Sequence, residues 1–247
     1  RESARFPSYT KKQMPIFTVT GDVDPFLHVS LRKGETIFCE SDAMVMMEAP
    51  LDLTGSMQGG LVRAAMRRLA NGESFFQQRI EAKRGDGDCL LAPNMPGGMQ
   101  VLDVGARQYR MSDGAYVAAT ERIEVNARMQ SLGNALFGGT GGFFIGETQG
   151  DGQVVVGGFG SLFTLDVAPG KDIVIDNGHV VAWDSTLRYE IAASTSQSQG
   201  LLRNLTNSVT SGEGVVLRFS GQGQVIVCSR NRQSFFAWIA EKLNVRS

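Results

Sequence analysis

A chain of 247 residues with 24 Lys+Arg against 25 Asp+Glu carries a formal net charge of −1. It therefore lacks the broad cationic surface that a general nucleic-acid binder needs. With 42% hydrophobic and 20% charged residues, and no apolar run near the ~18 residues of a membrane-spanning helix, the composition is that of a globular protein, and thirty glycines call for many tight turns.

Residues 1–13 are polar and basic with no apolar stretch behind them, unlike a secretory leader. They are expected to be a tag remnant or a disordered arm ahead of a natural start at Met14. Ile16, Thr18 and Thr20 then alternate with Phe17 and Val19. After Asp24-Pro25, the residues Leu27, Val29 and Leu31 mark a strand with one inward face. The stretch LRKGETIFCESDAMVMME (31–48) reads as a hairpin turning at Asp42-Ala43. Alanine tolerates positive φ badly, so this turn should differ from glycine-bearing ones.

Residues 60–70, GLVRAAMRRLA, predict a helix. Leu61, Val62, Ala65, Met66 and Leu69 form its apolar stripe, and Asn71-Gly72 stops it. Arg63, Arg67 and Arg68 project from the opposite side. They are the candidate anion-binding residues, weighed against the favoured reading of a solvated basic face.

A further helical segment is expected around Met129, Leu132 and Leu136, leading into Gly138-Gly139-Thr140-Gly141-Gly142. That run lacks the Lys-Ser or Lys-Thr of a phosphate loop and completes no GxGxxG, so it reads as a junction loop. The stretch LDVAPGKDIVIDNGHVVAWD (165–184) reads as strands joined by a Pro-Gly turn and by Asn177-Gly178, the latter a type I′ hairpin signal. Leu201, Leu202, Leu205 and Val209 repeat the helical stripe. Phe235, Phe236, Ile239 and Leu243, with Trp238 beside them, predict a short C-terminal amphipathic helix. It could pack on its own sheet, dock on a neighbouring subunit or touch a membrane surface; with only Lys242 and Arg246 as basic residues, the last is the weakest.

These stretches are copies of one another. Gly34, Ile37, Glu40 and Val45 fall on Gly170, Ile173, Asp176 and Val181 at one constant offset. Leu102-Asp103-Val104 repeats Leu165-Asp166-Val167, and Ser112-Asp113-Gly114 matches Asp176-Asn177-Gly178. Glycine pairs close each copy at Gly85 and Gly87, Gly150 and Gly152, and Gly221 and Gly223. Four features recurring in order predict three divergent β-rich units, at 14–98, 99–158 and 159–247.

Candidate chemistry is thin. Cys39, Cys89 and Cys228 are odd in number and have no CxxC spacing, as expected of buried reduced thiols in a reducing compartment, here the cytoplasm. His28 and His179 have no Cys or His at ligand spacing, so neither a zinc site nor a cofactor is expected. No nucleophile precedes either histidine in a GxSxG elbow, and the chain is read as non-enzymatic, with an unrecognised hydrolase the remotest alternative.

The blocks LRKGETIFCESDAMVMMEAPLDL, residues 59–76, GGTGGFFIGETQGDG and LDVAPGKDIVIDNGHVVAWD resemble the altered-inheritance-of-mitochondria family across residues 14–243. The resemblance implies units like those of the trp RNA-binding attenuation protein, which are small antiparallel β-sandwiches joined edge to edge in rings. The expected fold is all-β with short helices. The expected assembly is a homo-oligomer, a trimer imitating a nine-unit ring. Its role is expected to be a scaffold or binding module meeting a protein partner or a membrane periphery. Nucleic-acid or small-ligand binding like that of the attenuation protein is the alternative.

Overall fold

The computed structural model describes residues 14–56, 77–131, 142–193 and 215–243. Residues 1–13, the 60–70 segment with Arg63, Arg67 and Arg68, Leu132, Leu136, residues 138–141 and the 201–209 stripe lie outside them.

The strands fall into three sets. The first is β1 (Ile16–Thr20), β2 (Phe26–Leu31), β3 (Thr36–Glu40), β4 (Met44–Met47), β5 (Asp52–Ser56), β6 (Gln77–Glu81) and β7 (Gly87–Leu91). The second is β8 (Met99–Val104), β9 (Tyr109–Ser112), β10 (Tyr116–Thr120), β11 (Ile123–Ser131), β12 (Gly142–Gly150) and β13 (Gly152–Gly157). The third is β14 (Leu162–Val167), β15 (Ile173–Asp176), β16 (Val180–Asp184), β17 (Arg188–Ala193), β18 (Val215–Ser220) and β19 (Gly223–Cys228), followed by helix α1 (Arg232–Lys242). The fold is all-β with a short helix.

One pairing scheme serves all three sets. Two three-stranded layers form in each, β2-β7-β4 with β5-β6-β3, β8-β13-β10 with β11-β12-β9, and β14-β19-β16 with β17-β18-β15. Strand β1 extends the first layer by pairing with β2. The register confirms the equivalence, because the ladder shifts between Met44 and Met46, between Tyr116 and Ala118, and between Val180 and Ala182. Each set packs its two layers around its own apolar cluster. Leu27, Leu91 and Ile80 lie in the first, Leu102, Met111 and Ile123 in the second, and Trp183, Leu217 and Phe219 in the third. Trp183 meets Tyr189 and Phe219 edge-on, with ring centroids 5.4 and 5.6 Å away.

Adjacent units share sheets. Strand β3 pairs with β10, and β9 pairs with β16, so one layer of each unit runs into a layer of the next as a six-stranded sheet.

Two expectations are corrected. The 31–48 and 165–184 stretches are not hairpins, since β3 and β4 pair with different partners, as do β14, β15 and β16. Their tight turns carry the chain from one layer of the sandwich to the other. Accordingly Asn177-Gly178 forms a 3-10 turn, capped by Asp176 accepting from the Gly178 N–H at 2.7 Å, and not a type I′ turn. At the first copy Asp42 takes the left-handed conformation, with φ 66°, and Ala43 is buried. Met129 lies in β11, where every residue faces a partner on β12; the ladder overrides a helical spacing that rests on few apolar residues. A C-terminal helix forms, with Asn231 accepting from the Ser234 N–H at 3.1 Å, but none of its residues is buried, and Phe236, Trp238 and the C-cap Leu243 are exposed.

Gly150 shows what the closing glycines do. Its φ is +119°, and a Cβ there would sit 2.1 Å from the Arg122 carbonyl oxygen. Gly150→Ala is expected to cost about 1–3 kcal/mol from backbone conformation alone, read as a lower urea midpoint with an unchanged slope.

Candidate functional site: two open sheet edges

The apolar runs in β4, β10 and β16 lack the alternation of a half-buried strand, which is the pattern of strands covered on both faces. In β10, Val117 and Ala118 join the first cluster, while Tyr116 and Ala119 join the second. In β16, Val181 and Ala182 join the second cluster, while Val180 and Trp183 join the third. Each strand thus sends two residues into its own core and two into the core of the unit before it. All five residues of β10 and all five of β16 are buried.

Strand β4 is the first described member of this set, and among the described residues no strand of another unit pairs with it. Met44 and Met47 pack on their own core. Val45 and Met46, equivalent to Val117 and Ala118, are 54% and 40% exposed.

The partner strands behave alike. Ile37 and Cys39 of β3 and Tyr109 and Met111 of β9 face their own cores. Phe38 is covered at the first junction and is 8% exposed. In β15, Ile173 and Ile175 pack on the third core, but Val174, equivalent to Phe38, is 60% exposed. Among the described residues no ladder joins β4 to β15, and each ends its sheet.

Side chains reinforce the two formed junctions. The Tyr116 hydroxyl donates to the Phe38 carbonyl at 3.0 Å, and burial raises its pKa well above the ordinary range. At the second junction Arg107 Nε lies 3.2 Å from Asp184 Oδ1.

Titratable groups elsewhere serve the packing. The three cysteines are free and buried; burial foremost pushes Cys39 and Cys89 up to about 12, so these thiols stay protonated and unreactive. Nδ1–H of His179 donates to the Cys228 carbonyl at 2.7 Å. His28 Nε2 stands 3.5 Å from Asp88. Among the described residues no three His, Cys, Asp or Glu side chains are grouped to hold a metal, and no helix is long and apolar enough to cross a membrane. The candidate residues Arg63, Arg67 and Arg68 lie outside the described residues, so nothing in the site is built on them.

A cleft of about 370 Å³ opens where the second and third units meet α1, lined in part by Gly114, Gly158, Gly178, Asn231 and Arg232. Arg232 lies against Gly114, where a Cβ would come 2.8 Å from its Nη1. Burial pushes Glu40 up to about 7, with Asp113 and Asp42 adding to the rise and Arg232 opposing it. One arginine at the end of the third unit therefore acts on a turn of the second and a carboxylate of the first.

The edge role of β4 and β15 is absent from the motif reading, which takes both stretches as hairpin arms. The signal is present nonetheless in MVMM and IVID, apolar runs too continuous for strands exposed on one face.

The sequence model of the mitochondrial biogenesis AIM24 family matches residues 17–230. An uncharacterized protein of Streptococcus pyogenes serotype M6 is 36% identical over 219 residues, covering 85% of this chain and 84% of that protein. A Streptococcus pyogenes protein whose crystal structure came from a structural-genomics consortium superimposes with a TM-score of 0.73 at 30% identity. That match covers 93% of this chain and 99% of the other.

The raised pKa of Glu40 fixes a pH dependence. Between about 4.5 and 7 the native state holds this proton more tightly than the unfolded chain, so stability falls as pH rises through that window. The thermal midpoint is expected to climb as pH is lowered from 8 towards 5, and Glu40→Gln should flatten that climb while raising the midpoint at pH 8.

Proposed function

The chain belongs to the mitochondrial biogenesis AIM24 family, and we propose that it works as a non-enzymatic, ring-forming homo-oligomer. In this reading it is a scaffold or binding module of the reducing cytoplasm, built as a trimer. The observation that carries the reading is the unfinished array. Two inter-unit junctions are formed and buried, while the strands that would make a third, β4 and β15, end their sheets with Val45, Met46 and Val174 exposed. Exposed apolar edges are an aggregation hazard unless paired. Because the two edges differ, pairing between copies is heterologous, and only a closed ring prevents an open filament. Three units per chain would make a trimer a nine-unit ring, imitating the edge-to-edge rings that the resemblance to the attenuation protein implies. The buried, protonated thiols support a reducing compartment.

Light scattering on the full chain is expected to give three times the 26.7 kDa of one chain at micromolar concentration. A strict monomer there would remove this reading.

A further inference from the structure

We infer that the third junction is made between two copies of this chain, by antiparallel addition of β15 of one copy to β4 of the next, with Lys171 of the first paired to Glu48 of the second. This inference rests on the oligomeric reading above and specifies its contact.

The register follows from the two junctions already formed. Ala118 faces Cys39 and Ala182 faces Met111. The shared ladder shifts align Met46 with Ala118 and Ala182, and the repeat aligns Ile175 with Cys39 and Met111. Ile175 therefore stands opposite Met46. By the same step Val174 stands opposite Met47, as Phe38 does Ala119 and Arg110 does Trp183. Val45 and Met46 then enter the third core of the neighbour, the place that Val117 and Ala118 take in the first core and Val181 and Ala182 in the second. The incomplete sheets match too, since the four-stranded β1-β2-β7-β4 and the three-stranded β15-β18-β17 join into the six-stranded pattern plus β1.

Charge gives an independent argument. At the second junction, Asp184 uses Oδ2 to accept the Gln224 N–H at 2.7 Å, and its Oδ1 stands 3.2 Å from Arg107 Nε as an ion pair without hydrogen-bond geometry. The residues of the third junction at these positions are Glu48, Asp88 and Lys171. Glu48 is already held in the same way, with Oε2 accepting the Asp88 N–H at 2.9 Å. Lys171 is exposed and takes the place that Arg107 holds at the second junction. A carboxylate preset by a backbone N–H and a cation at the matching place on the other edge favour one polarity and one register.

Cross-linking reads this directly. Facing residues across an antiparallel ladder have Cα atoms about 4.5–5.5 Å apart, within disulfide range. Under mild oxidation, Val174→Cys mixed with Met47→Cys should give a disulfide-linked dimer that neither variant gives alone. Val174→Cys mixed with Val45→Cys, two residues out of register, should give little. As a second readout, Lys171→Glu or Glu48→Lys should move dissociation to roughly tenfold higher concentration or more, and the two reversals combined in one chain should restore assembly. An oligomer that persists with no cross-link, with equal cross-linking at Val45→Cys, or with no effect of charge reversal overturns this junction and leaves the oligomeric reading standing. A chain that is monomeric by light scattering overturns both. An internal disulfide in a monomeric Val174→Cys, Met47→Cys chain shows that the array closes on itself, which likewise overturns the intermolecular pairing.

Discussion

The pairing of the third strand of one unit with the fourth strand of the next is the contact on which the rest of this molecule depends. It satisfies backbone hydrogen bonds along both edges and merges two layers into one sheet. It also brings the two side chains on the outer face of the fourth strand into the core of the preceding unit. Cores and sheets are therefore out of step: each six-stranded sheet spans two units, and β10 and β16 each belong to two cores. A small β-sandwich of some sixty residues would bury a modest share of its surface alone. Sharing strands lets neighbouring units cover what each leaves open.

The composition of the junction strands follows from that arrangement. One facing pair at each formed junction sets a bulky side chain against alanine, Phe38 with Ala119 and Met111 with Ala182. At Gly146, which pairs with Met111, a Cβ would approach Val125 at 3.1 Å and the Met111 side chain at 3.4 Å. Such fitting lets strands lie side by side without voids. The carboxylate of Asp184, nearly fully buried, is tolerated because a backbone N–H and Arg107 both address it.

Much of this was legible from the residues. Glycine and apolar residues recurring at one offset marked the 31–48 and 165–184 stretches as copies, and Leu27, Val29 and Leu31 alternated as a strand with one buried face does. The connections were not legible. A tight turn at Asn177-Gly178 or Asp42-Ala43 looks the same locally whether the chain returns beside the strand it left or crosses to the facing sheet. What separates the cases is a partner far along the chain, such as β19 for β16 or β7 for β4. Met129 failed for a related reason, since three leucine-type residues at helical spacing weigh little against nine successive rungs with β12. The reach of Arg232 towards Glu40 across two unit boundaries has no sequence signal at all.

The two terminal edges differ from the inner junctions in a way that suits late assembly. Strand β4 carries three methionines, Met44, Met46 and Met47, which are unbranched and adapt to an incoming surface, whereas the inner counterparts are Tyr116, Ala118 and Ala119 in β10 and Val180, Ala182 and Trp183 in β16, side chains of fixed shape. Inner junctions form within one chain, where the linking segments hold the partners at high effective concentration, and they can demand a close fit from the start. In the proposed oligomer, strands that find a partner from solution would gain from a tolerant apolar face, with register left to the charged ends. Glu48 and Lys171 flank β4 and β15 outside the apolar run, where a mismatch would bury one charge without the other. In this division of labour, the apolar residues supply the driving force and the ions select the polarity.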